Sequence, residues 1–505
     1  MSNMMLMKRE PRVKSVLRLS FACLPAFAVL FFVALVPLRA QTPTPAAPPT
    51  PTPTPPPPFN QQFMRQLEEL QRLALADDYA YRQAGHLTNG IGPRLTGSPQ
   101  AQAAVEYVAA EMRKLGLEVR LEKLSVPHWV RGDERAALVQ FPGQAAGTEQ
   151  KVVLTALGGS VATPAAGLTA AVVVVNDFAE LQNLGRGQVA GKIVLFNHRF
   201  DDRMAKQGFG GEAYGEAVGY RGGAASAAAR LGAVAALIRS VGGAQFRLPH
   251  TGSTRYAQDA PRIPAAALAA EDADMIAYLA RQGTVRLRLV LTPQQLPEAV
   301  SYNVVADLKG SAEPEQFVIV SGHLDSWDLG TGAIDDAAGV AVAMQTVQLI
   351  KQMRLRPRRT IRFVAWMNEE NGLVGGRTYA REHQAEVARH FAAIESDRGA
   401  GHPLGFEVKG KPEIVSLLRQ VGQVLESQGA PLMKLVDDTE ADISPLAAAG
   451  VPSFGLWQDT RTYFDYHHTA ADTFDKIDPR ELAENAAAMT VLAYALANLP
   501  QPLPR

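Results

Sequence analysis

Residues 317–340 read FVIVSGHLDSWDLGTGAIDDAAGV. The opening FVIV is a short apolar run without polar alternation, which is how a strand buried on both faces reads. A turn rich in glycine and acid follows, and from 337 small and apolar residues predict a helix to 353. The pattern then recurs: strand 360–367, helix 373–384, strand 392–395, helix 413–427, strand 453–457 and a closing helix 479–499. Strands alternating with helices predict an α/β domain, a mostly parallel sheet with helices on both faces.

In such sheets sites form beyond the carboxyl ends of the strands. Here the strand ends deliver acids and imidazoles in turn: Gly322-His323-Leu324-Asp325, then Asp335-Asp336, Asn368-Glu369-Glu370 and Glu395-Ser396-Asp397. The last strand leads to Asp465-Tyr466-His467-His468-Thr469 and Asp472-Thr473. Any one of these has an ordinary explanation, since acids are common in loops and Asp is a good helix N-cap. The convergence is what needs a cause, because two imidazoles and at least five carboxylates on one sheet edge repel without a cation. Imidazole and carboxylate ligands together suit zinc, and a shared carboxylate suits a pair of ions about 3.5–4 Å apart. The doubled Glu369-Glu370 offers one carboxylate for metal and one for proton transfer.

Composition narrows the field. The 505 residues carry 50 Lys+Arg and 50 Asp+Glu, and a chain of zero net charge lacks the basic surface a nucleic-acid binder needs. The single cysteine excludes a disulfide scaffold and a zinc site of several thiolates. Residues 1–40 hold six basic residues and one acidic one, so the remainder is mildly acidic. That segment runs from a basic stretch ending at Arg18 through uncharged apolar residues 19–38 to Leu38-Arg39-Ala40, the order of an export signal. An uncleaved membrane anchor is the alternative, because the apolar run could span a bilayer. Either way the body is exported, to the periplasm or the extracellular space. Residues 41–58 hold 10 of the 34 prolines and read as an extended spacer. Between 127 and 297 the texture changes to short β-branched runs separated by Gly/Ala-rich turns, with an Ala-rich helix at 224–231. That stretch is long enough for its own core.

The set HLDSWD, GAIDD, NEE, ESD and HHTAADT, spread over 323–473, resembles the co-catalytic di-zinc exopeptidases of metallopeptidase family 28. Within the family the resemblance is to the carboxypeptidase Q group, and it covers roughly 60–498. It implies a discontinuous catalytic domain, 59–126 with 298–498, and a protease-associated-like inserted domain over 127–297. It implies two zinc ions: His323 and Asp397 on one, Glu370 and His468 on the other, Asp335 bridging. His467 is the alternative to His468. Glu369 is then general base and acid, and Asp325 accepts a hydrogen bond from His323 and fixes its tautomer. A cis peptide is implied after Asp335. The activity implied is hydrolysis of terminal peptide bonds in peptides or dipeptides, with a homodimer by analogy. Arg398 departs from the group's smaller residue, and Glu440, Asp442, Tyr463, Phe464 and Tyr466 are candidates to line the substrate pocket. Two rivals share the fold: a single-zinc glutaminyl cyclase, and a non-catalytic binding protein of transferrin-receptor type.

Overall fold

The computed structural model describes residues 58–505, so the export segment at 1–40 and the spacer up to 57 lie outside the described residues. Eight strands form the first sheet: β1 (Glu118–Val130), β2 (Gln294–Leu308), β3 (Glu313–His323), β4 (Arg359–Trp366), β5 (His390–Glu395), β6 (Pro403–Lys409), β7 (Leu432–Leu435) and β8 (Ser453–Gln458). Their order is β1-β2-β4-β3-β5-β8-β6-β7. The centre, β4-β3-β5-β8, is parallel, as the strand–helix alternation predicts. The margins are mixed, with β1, β2 and β4 antiparallel on one side and β6 antiparallel to β8 on the other.

Side chains alternate across this sheet with period two. Val318, Val320, Phe363 and Ala365 enter a core with the helices Gln61–Leu75, Ala338–Gln352 and Pro479–Asn498. Their neighbours Ile319, Val364 and Trp366 enter a second core with Tyr379, Ile443 and Leu446. Both faces are thus covered, which is why the strands read as unbroken apolar runs. The first helix starts at an Asn60 cap, whose side chain accepts from the Phe63 amide at 2.9 Å. It buries Leu67 and Leu70, each worth about 1.5–3 kcal/mol, whereas Leu75 stays exposed. The helix expected over 413–427 is interrupted at Leu418.

Strands β1 and β2 pair along their length, and they carry the chain past 126 and 298 before a second eight-stranded sheet begins. That sheet lies wholly between Glu134 and Leu291. Its middle strands, Leu168–Val175, Ile193–Phe196, Ala235–Arg239 and Ala265–Leu268, are parallel. The Ala-rich helix is much longer than its composition suggests, running Gly210–Arg230 through six glycines. Glycine disfavours helix in isolation, but Ala217, Ala224, Ala225 and Ala228 are buried at helical spacing against that sheet, and packing prevails.

The two sheets are locked together. Trp327, from the turn after β3, enters the core of the second sheet beside Leu95 and Trp129. Arg131, just past β1, spans the junction: its guanidinium bonds Asp328 at 2.9 Å and the Ala156 carbonyl at 2.6 Å. No helix among the described residues is long and apolar enough to cross a membrane.

Candidate metal centre

Parallel register sets the site. Pairing of β3 with β4 puts His323 opposite Trp366, and pairing with β5 puts Ser321 opposite Glu395. Glu369 and Glu370 therefore follow β4, and Asp397 follows β5, at the edge where β3 ends in His323. Asp335 stands in the turn that opens the helix Ala338–Gln352. His468 comes from the loop beyond β8, after the short helix Tyr463–Tyr466.

These residues form two sets that share one member. His323 Nε2 lies 3.0 Å from Asp335 Oδ1 and 3.1 Å from Asp397 Oδ1. His468 Nε2 lies 3.1 Å from Asp335 Oδ2 and 3.0 Å from Glu370 Oε2. Asp335 thus offers one oxygen to each set. His467 also approaches Asp335 Oδ2, at 3.2 Å, but it stacks on His468 rather than joining Glu370. The peptide between Asp335 and Asp336 is cis. Asp336 turns away from the cluster, accepting from the amides of His323 and Gly339 at 3.0 Å each.

The His323 ring shows what the cluster fits. Its Nδ1 donates to the Asp325 main-chain carbonyl at 2.9 Å, so in the neutral ring Nε2 presents its lone pair to two carboxylate oxygens. Lone pairs facing one another at 3 Å need a shared cation. Glu370 Oε1 likewise has no hydrogen-bond donor. Nitrogen and oxygen donors, buried and mutually repulsive, are what a pair of divalent ions requires.

Charge follows the same logic. Burial pushes the Glu370 carboxyl up to about 7, with the Asp335 charge adding to it. Burial would also raise Asp335, but the facing His467 and His323 imidazoles hold it well below the usual carboxylate range. Glu369, half-buried at the rim, is raised well above that range by burial and by the charges of Asp397 and Glu370.

The bond expected from His323 to Asp325 is present, and the accepting atom is on the main chain. The bond from His323 goes to the Asp325 carbonyl, and the Asp325 carboxylate stands 4.0 Å away. That carboxylate instead accepts from the Asn368 and Glu369 amides at 2.6 and 3.1 Å and from Thr96 Oγ1 at 2.7 Å. It fixes the turn that presents Glu369 and Glu370. The reason is the turn itself, which folds the Asp325 carbonyl toward the imidazole and the side chain toward β4.

The expected pocket residues are placed differently from the ligands. A small cavity beside the cluster is lined by Trp327, Gly330, Asp335, Glu370, His468 and Asp472, and by none of the five candidates. Glu440 pairs with Arg398, which also bonds Glu407. Asp442, Tyr463 and Phe464 are buried, and Phe464 stacks on Tyr214 of the second sheet's unit. Tyr466 lies under Lys476.

Other residues support the cluster. Asp472 accepts from the Ala333 and Ile334 amides at 2.8 Å each and so holds the turn bearing Asp335. Arg94 and Thr96 reach the site from more than 200 residues away in sequence. His250, Thr251 and Ser253 reach it from the second sheet's unit. A local pattern carries no sign of such contacts.

Comparison with known proteins places the chain among peptidases of one family. The model of peptidase family M28 matches residues 303–493. Carboxypeptidase Q of Xenopus laevis is 39% identical over 433 residues, covering 85% of this chain and 88% of that one. The crystal structure of a peptidase M28 precursor from Shewanella amazonensis superposes with a TM-score of 0.81 at 39% identity, covering 88% of this chain and 99% of that one. An aminopeptidase from an Aneurinibacillus species shares the fold, with a TM-score of 0.60 at 21% identity over 88% and 98% of the two chains.

Proposed function

The chain belongs to peptidase family M28, and on that footing we propose that it is an exported, zinc-dependent exopeptidase cutting terminal bonds of peptides or dipeptides. The observation that carries the reading is Asp335, whose two oxygens face two separate sets of imidazole and carboxylate ligands. In this reading His323 and Asp397 hold one zinc ion, Glu370 and His468 the other, and Asp335 both. Two zinc ions, when bound there, supply Lewis acidity toward water and toward the scissile carbonyl.

The chain's own groups do the rest. Glu369 takes the proton of the attacking water and returns it to the leaving amine. Asp325 acts through others: its carboxylate orients the Glu369 turn, and its carbonyl fixes the His323 tautomer that leaves Nε2 free. Trp327 walls the cavity and limits water.

The order basic, apolar, small-residue over 1–40 supports export. The self-contained second sheet supports a protease-associated-type insertion, and the balanced charge supports peptide rather than nucleic-acid partners. A homodimer belongs to the same proposal.

The test is digestion of dipeptides and longer peptides with free, N-blocked and C-blocked ends, using zinc-free and zinc-loaded protein, with mass analysis of products. Cleavage from an end by the loaded protein alone is expected. Internal cleavage, or undiminished cleavage without metal, refutes the proposal. The pattern of blocking separates aminopeptidase, dipeptidase and carboxypeptidase.

A further inference from the structure

The two ligand sets differ in what stands behind them. His323 is backed within the first sheet's unit, by the Asp325 carbonyl and the Asp336 carboxylate. The segment leading to Asp397 is likewise held there, the Ser396 amide donating to the Ser321 carbonyl at 3.1 Å. His468 and Glu370 are backed from the other unit, by residues 250–254, His-Thr-Gly-Ser-Thr. The Thr251 amide donates to the His468 carbonyl at 2.9 Å, and the Thr251 carbonyl lies 3.4 Å from His468 Nδ1. Ser253 Oγ donates to the Glu370 carbonyl at 2.8 Å. Among the described residues, no hydrogen bond from that unit reaches His323 or Asp397.

The loop is itself firmly held. The Gly158 amide donates to the Gly252 carbonyl at 3.0 Å, and the Thr254 amide to the Gly158 carbonyl at 2.9 Å. Thr251 Oγ1 donates to the Ala156 carbonyl at 3.1 Å, and the His250 amide to Ser240 Oγ at 2.8 Å. His468 needs such support, because its φ of 60° is a left-handed conformation that surrounding contacts must offset.

His250, His467 and His468 also approach one another closely enough to suggest a further metal site. Arg221 argues against it, since its guanidinium lies 3.3 Å from His468 Nδ1 and places a positive charge there. The fully buried His250 ring, edge-on to both neighbours, serves as a wall.

We infer that the 250–254 loop is a positioning element for one ion of the pair, setting the affinity of the Asp335–Glu370–His468 ion and leaving the Asp335–His323–Asp397 ion unchanged. The inference rests on the proposed di-zinc reading. The loop clasps the main chain of His468 through the Thr251 amide and that of Glu370 through Ser253 Oγ, which presents both ligands in one orientation, and losing partners that orient a metal ligand costs about 10–100-fold in affinity.

The experiment is titration of zinc-free protein with Zn2+ against a chromophoric chelator, which resolves two binding steps. Ser253→Ala should weaken one step by up to about tenfold, and Ser253→Thr, which keeps the hydroxyl, should restore it. Gly252→Ala should weaken the same step by about 10–100-fold, because the new Cβ falls 2.3 Å from Arg221 Nη1 at a φ of 127°. Circular dichroism of the zinc-free variants checks folding, and the Ser253 pair carries the test if Gly252→Ala does not fold. Two wild-type steps that fall together in the variants, or do not move, overturn the inference alone. A wild type that binds no zinc overturns the functional reading, and the inference with it.

Discussion

Arg94 is fully buried, and its guanidinium is held by main-chain carbonyls. Nε donates to Leu324, Nη1 to Thr331 and Nη2 to Gly332, each at 2.8 Å. Those carbonyls bracket the turn that leads from His323 to Asp335. Arg94→Met keeps much of the apolar stem and strands the Leu324 and Thr331 carbonyls, whereas the Gly332 carbonyl keeps the Ala337 amide at 3.2 Å. Each stranded carbonyl costs about 1–3 kcal/mol, so the two together cost at least about 2 kcal/mol. Two further effects oppose each other. Removing the charge spares the cost of burying it, a cost that also holds the Arg94 pKa below its ordinary value. It also takes a positive charge from among Asp472, Asp325, Asp336 and Asp335, whose mutual repulsion then rises. The low end, about 2 kcal/mol, is therefore the expected loss. Urea unfolding of zinc-free protein, followed by tryptophan fluorescence and circular dichroism, reads it as a shift in midpoint at constant slope. Arg94→Lys should fall between, since one ammonium cannot span the positions a planar fork reaches. A loss below about 1 kcal/mol in Arg94→Met would refute the view that these bonds hold the turn.

Glu369→Gln should lower kcat by about 10²–10⁴ while zinc content by atomic absorption stays unchanged; near-normal turnover would remove Glu369 from proton transfer. Gly158→Ala places a Cβ 2.0 Å from the Trp327 ring and should cost about 1–3 kcal/mol in thermal unfolding. Trp327→Leu in the same chain should recover part of that loss, and strictly additive losses would deny the contact. His383 bonds Glu122 at 3.1 Å, which raises its pKa above the ordinary histidine value despite partial burial. A raised folded pKa means stability present below the unfolded value, about 6.5, and lost as pH rises through the folded one. The gap in melting temperature between wild type and His383→Gln should therefore be wide near about pH 6 and narrow by about pH 9; a gap that widens instead contradicts the pairing.

The central strands were readable because their pattern is local. A strand buried on both faces is a mostly apolar run whatever its neighbours are, and the chain from 317 to 457 has four such runs. The margins were not. Residues 403–409 and 432–435 are strands because β8 and β6 offer them edges to pair with. The Ala265–Leu268 strand consists of residues with little strand preference and is held by partners on both sides. The glycine-rich helix Gly210–Arg230 has the same explanation in reverse, packing overriding propensity.

The convergence of the seven candidate residues was legible for a related reason. Each follows a strand end, and parallel strands in one sheet deliver their carboxyl ends to one edge, so sequence position alone implies a meeting place. Sequence could therefore determine the family, the α/β class and the residues that converge. It could not determine which atom of Asp325 meets His323, because a turn directs carbonyl and side chain by its dihedral angles. Nor could it bring Arg94 to the Leu324–Gly332 turn, or Thr251 and Ser253 behind His468 and Glu370. Those contacts join segments more than 100 residues apart through a few hydrogen bonds each. Such bonds leave no period in the chain and arise only once two packed cores, pinned by Trp327 and Arg131, hold the two units in register.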